Sequence, residues 1–161
     1  MNELAFEDIF MSHVVTDKSF LASVYSCGNP EETAQFPCRD DNQLLLSKIF
    51  DYFGKSGQIP TIEILRVDSD EGEIPIINKA WERALSINGT MDPTVLYSDA
   101  TQYLRSRGTT WAIEQAARGK LVGAEIATKI NKIVGLSLEK NLGYDIVKDF
   151  DAFYKKINEK H

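Results

Sequence analysis

Apolar residues recur along this chain at spacings of three and four, in blocks separated by breaks rich in Gly, Pro or Asp. Phe6, Ile9, Phe10 and His13 form the first stripe, Phe20, Leu21 and Val24 a second, and Leu45, Leu46, Ile49, Tyr52 and Phe53 a third. Such spacing places each set on one face of a helix. Between the second and third stripes, Cys27 to Pro37 is rich in Gly, Asn, Glu and Pro and reads as a loop. Asp40 and Asp41 then favour a helix start by complementing its dipole. Gly57 to Pro60 turns the chain, Thr61 suits the N-cap of the next helix, and Asp68 to Glu73 forms an acidic loop.

Beyond that loop, Ile77, Ala80, Trp81, Ala84 and Leu85 predict a helix that ends near Asn88-Gly89. Asp92-Pro93 starts a longer one, with Asp92 as cap and Pro93 at its first position. Its apolar positions Leu96, Ala100, Tyr103, Leu104 and Trp111 run past Gly108. A glycine there costs about 1 kcal/mol relative to alanine in a helix interior, so the position predicts a bend or a close helix contact. Gly119 to Gly123 breaks the pattern, and Ile126, Ile130, Ile133 and Val134 stripe a further helix. Two consecutive helices with a short break between them predict a helical hairpin. Such a pair has no core of its own and must bury Trp111 and its isoleucines against something, either a partner or the first bundle.

After Gly143, the residues Ile146, Phe150, Phe153 and Ile157 recur at spacings of four, three and four, with Tyr154 alongside and lysines on the other faces. The pattern predicts an amphipathic helix of the kind that lies in an apolar groove, on a partner or on the chain's own bundle. The fold class that follows is all-α: a helical bundle over residues 1–90, a hairpin over 91–140 and a linker-type helix over 141–161. With 161 residues and 43% apolar side chains, the chain has material for a real core.

The stretch from Phe36 to Arg66, FPCRDDNQLLLSKIFDYFGKSGQIPTIEILR, combines an Ile-Phe helix with a Gly-x-Ile-Pro-Thr corner. It resembles the N-terminal domain of hexameric replicative helicases of the DnaB family, nearest to those of T-even-type bacteriophages. The opening from Ile9 to Phe20, the Tyr-Leu-x-x-Arg pattern within Tyr103 to Ala112, and the tail from Gly143 to Tyr154 are similar to the same family, the tail to the stretch before its ATPase domain. The resemblance implies a collar of up to six self-associating subunits. It places Tyr103, Leu104, Arg107, Trp111, Ile126, Ile130 and Ile133 on a hairpin that packs against the hairpin of another subunit. It also implies that Ile146, Phe150, Phe153, Tyr154 and Ile157 dock on a neighbouring helicase ATPase domain, and that primase or a helicase loader binds the assembly.

The family's motor is not expected in this sequence. A phosphate-cradling loop needs Gly-x-x-x-x-Gly-Lys-[Ser/Thr] at the start of a helix. Gly54-Lys55-Ser56 has Ile49 where the first glycine belongs, and it ends a helical pattern instead of opening one. An EF-hand beginning at Asp68 fails as well, with Glu73 and Lys79 where Gly and Glu are required. The two histidines, His13 on an apolar helix face and His161 at the end, give no base for a metal site or a catalytic triad. No enzyme activity, cofactor or metal is therefore expected.

No apolar run approaches the roughly 20 residues that span a bilayer, and the acidic start Met1 to Asp8 is unlike a signal peptide. A cytoplasmic protein with Cys27 and Cys38 as free thiols is expected, and Asn88-Gly89-Thr90 reads as a turn, not a glycan acceptor. Charge divides the chain: residues 1–100 carry 17 acids and 7 bases, net −10, whereas residues 101–161 carry 7 acids and 11 bases, net +4. Such a split suits head-to-tail association, a basic half near DNA, or a helical surface with no further role. Three functions follow: a helicase assembly module, a free-standing mimic that binds or blocks a helicase ring, and a DNA-binding protein using the basic half, whose affinity would fall steeply with salt.

Overall fold

The computed structural model of the protein describes residues 1–87 and 91–138. The Asn88-Gly89-Thr90 turn and the helix expected after Gly143 lie outside these residues. All regular structure among the described residues is helical: α1 (Glu3–Thr16), α2 (Lys18–Ser26), α3 (Pro30–Thr33), α4 (Asp40–Ser56), α5 (Ile62–Val67), α6 (Ile74–Leu85), α7 (Pro93–Ala117) and α8 (Ala124–Val134).

Local sequence sets most of these boundaries. Asn2 caps α1 by accepting from Ala5 N at 3.1 Å. Asp17 serves two helices at once, its N–H donating to His13 O to close α1 and its carboxylate accepting from Phe20 N to open α2. Thr61 and Asp92 cap α5 and α7 as their positions predict, and α4 stops at Gly57, whose φ of 68° suits glycine. The segment expected as loop from Cys27 to Pro37 holds the one-turn helix α3. Asn29 accepts from Glu31 N, Pro30 occupies the first turn, and Glu31 and Glu32 complement the dipole.

The core draws on seven of these helices and on Ala34 and Phe36 just after α3. An aromatic group joins α1, α2 and α7: Phe10 lies 5.6 Å from Phe20 and 5.1 Å from Tyr103, and Phe20 meets Tyr97 edge-on at 5.5 Å. Leu45, Leu46 and Ile49 of α4 and Ile77, Ala80 and Ala84 of α6 are also buried. Arg83 fastens α6 to α4 with two hydrogen bonds to Asp41, at 2.9 and 2.5 Å, which hold the Asp41 carboxyl below the usual carboxylate range. The core runs without interruption across the division expected near residue 90, because the first half of α7 is part of it.

At the centre sits a carboxylate. Glu7 is fully buried. One oxygen accepts from Cys38 N and, at 2.6 Å, from Tyr103 Oη; the other accepts from Arg39 N at 3.0 Å and Asn42 Nδ2 at 2.9 Å. Both oxygens act purely as acceptors, the role of an ionised carboxylate. Since α4 has no side-chain cap of its own, α1 supplies the acceptor at its start.

Gly108 is the close contact that its place in a long helix predicts. A Cβ there would stand 2.7 Å from Ile133 Cγ2 and 2.8 Å from Phe36 Cε2, so α7, α8 and the segment after α3 meet only over a bare backbone. Gly108→Ala should destabilise the fold by about 1–3 kcal/mol through overpacking, although alanine is the better helix former. Urea denaturation checks this, and a stabilised variant would refute it. Tyr103→Phe should cost about 1.5–3 kcal/mol, as one bond to a carboxylate is lost. Burial, and then the Glu7 charge, raise the Tyr103 hydroxyl well above its ordinary value. The stability this represents is present below the unfolded tyrosine pKa of about 10 and is lost as pH rises above it. Denaturation from pH 9 to 11 should therefore show a steeper loss in the wild type than in Tyr103→Phe.

Candidate partner-binding surface

The hairpin is the expected interface, and the structure spends much of it internally. Tyr103 and Leu104 are 0% and 1% exposed, covered by α1 and the rest of the core, and Ile133 is 4% exposed beneath Phe36 and Gly108. In this fold those three side chains have no surface left for another subunit, because the first half of α7 bonds Glu7 and fills the core while Ile133 of α8 closes over Gly108. Arg107 donates from Nε to Phe36 O at 2.8 Å and lies 3.7 Å from Glu3. Trp111 is half-buried, its ring 5.7 Å from Phe36 and its Nε1 donating to Gln35 Oε1 at 3.1 Å. Ile126 and Ile130 are half-buried, and Ile130 packs on the core. The second expected set, Ile146, Phe150, Phe153, Tyr154 and Ile157, lies outside the described residues.

Other aliphatic residues of the same two helices stay exposed. Ser106, Thr110, Ile113 and Ala117 follow one another along α7 at helical spacing, and Ile113 is 57% exposed. On α8, Ala127, Asn131 and Val134 do the same, with Val134 49% exposed, and Val122 stands in the turn between the helices. Neither row contains a charged residue. The signal in the sequence for Ile113 is an aliphatic residue out of phase with its helix's principal stripe, whereas Val134 belongs to the stripe read for α8.

Two ion pairs among the described residues join the acidic half of the chain to the basic half. Lys129 of α8 donates to both carboxylate oxygens of Glu32, at 2.7 and 2.8 Å. Arg107 reaches Glu3, and Ser106 Oγ donates to the same Glu3 carboxylate. Acids of the first half thus hold bases of the second.

Among the described residues no group of three His, Cys, Asp or Glu is placed to hold a metal ion, and no helix is long and apolar enough to cross a membrane. A groove of about 580 Å³ runs between the α2–α3 corner and the end of α8, lined by Cys27, Phe36, Lys129 and Leu136 among others. Its cysteine is a poor nucleophile: burial pushes the Cys27 thiol up to about 12, and burial with the Glu7 charge raises Cys38. Comparison with protein-family models, curated proteins and solved structures finds no match to this chain.

Cys27 should resist alkylation by iodoacetamide at pH 8 in the native protein and react readily once the chain is unfolded in urea. Rapid native labelling at Cys27, located by peptide mapping, would contradict the burial described here.

Proposed function

We propose that this chain is an assembly module of a DnaB-type replicative DNA helicase, the part that gathers subunits into a collar and receives primase or a helicase loader. The sequence likeness from Phe36 to Arg66, with its echoes at both ends of the chain, is the basis of the reading. One structural observation carries it further: two uncharged rows on the outer faces of α7 and α8, each with a large aliphatic side chain about half exposed.

Interface centres are depleted in charge and enriched in apolar side chains relative to the rest of a protein surface. The rows on α7 and α8 fit that description, and a second copy of the same hairpin presents the same rows. Self-association through a two-fold pairing of hairpins follows, since such an interface need only be complementary to itself. On this reading the hydrolysis of ATP belongs to a separate domain, and this chain contributes geometry and recognition.

Native mass spectrometry of the 161-residue chain tests the proposal. The wild type should appear as dimers or larger even-numbered species, and Ile113→Asp with Val134→Asp should give monomers with unchanged helical circular dichroism. A wild type that is monomeric at micromolar concentration, and that also fails to retain a purified DnaB-type helicase, would overturn it.

A further inference from the structure

The hairpin is attached to the rest of the chain in two unlike ways. As far as Leu104, α7 is embedded through large side chains, with Leu96, Tyr97, Tyr103 and Leu104 at most 5% exposed. Beyond Gly108 its buried positions are Ala112 and Gln115, and α8 buries only Ile133. Trp111, Leu121 and Ile130 of this outer part pack on the core only partly buried, and two rings with a few polar bonds tie it to the α3 region. Phe36 fills the notch at Gly108, Trp111 donates to Gln35, and Lys129 clasps Glu32.

The outer part is also bounded at both ends. Gly108 marks the point after which α7 meets the core through the small or polar positions Ala112 and Gln115 and no longer through large buried side chains. After α8 the chain is anchored again beyond Gly135: Arg105 Nε donates to Leu136 O at 2.6 Å, and Leu138 N donates to Thr101 Oγ1 at 3.0 Å, with Leu138 1% exposed. Glycine leaves a helical backbone softer than any other residue, and both boundaries carry one.

We propose that residues 109 to 134 form a flap that opens as a unit between Gly108 and Gly135, and that the Lys129–Glu32 clasp sets how often it opens. Segments held by few buried apolar contacts open locally at less free energy than the core. The opening uncovers apolar surface at Phe36, Trp111 and Ile133. The proposal concerns this fold alone and does not depend on the assembly reading.

Hydrogen exchange of the native full-length chain, read by mass spectrometry, tests it. In the wild type, amides of α8 and of α7 after Gly108 should exchange faster than those of α1, α4 and the first half of α7. Lys129→Ala should accelerate exchange in the flap about two- to fivefold, the factor carried by a partly exposed ion pair, and leave α1 and α4 unchanged. Glu32→Gln should act in the same way. Equal protection of flap and core in the wild type, acceleration spread through the whole chain, or no response of the flap to either variant would each overturn the proposal.

Discussion

Glu7 is the constraint on which the rest of the structure depends. A carboxylate removed from water is strongly unfavourable unless its oxygens are fully bonded, and here four donors from three parts of the chain supply the bonds. Hydrogen bonds to a charged group contribute about 1.5–3 kcal/mol each, and a donor left behind in the interior adds its own penalty. The four contacts therefore stand or fall together. They fix α1 against the start of α4 and fix the register of α7, since only one position on that helix can place a hydroxyl at Glu7.

The hairpin inherits its position from this node. Holding the amides of Cys38 and Arg39 leaves Phe36, two residues earlier, directed at the notch over Gly108. Holding Tyr103 sets the rotation of α7, which turns Gly108 and Trp111 towards that ring and Ile113 away from it. Weaker contacts then finish the attachment. The pairs Arg107–Glu3 and Lys129–Glu32 are partly exposed, and pairs of that kind contribute about 0–1 kcal/mol. These two joins take one acid each from the acidic half and one base each from the basic half.

Much of this was legible in the order of residues. Caps at Thr61 and Asp92, the stop at Gly57 and the close contact at Gly108 follow from local chemistry that acts over a few residues, and the structure has each of them where the sequence places it. The α3 turn was hidden because its loop-forming residues, Asn29 and Pro30, are also those that begin a helix. Glu7 was hidden for a different reason. It shares a helical face with Phe10, Met11 and Val14, but a lone acid within an apolar stripe reads as a break in the pattern until its donors, which lie 31 to 96 residues away, are brought to it. Long-range polar satisfaction leaves no periodic trace.

The same limit explains why the expected interface residues and the exposed ones differ. Periodicity detects the largest apolar stripe on a helix, and where the described helices share one core the largest stripe is the one the core takes. Tyr103 and Leu104 belong to that stripe and are buried within the chain. A surface meant for a partner has to be the lesser stripe, since it must leave the free chain tolerably solvated. Ile113 is an exposed aliphatic side chain on the far side of a helix whose near side is already committed. An apolar residue out of phase with the main periodicity of a long helix is therefore the one that stays at the surface once the core is filled.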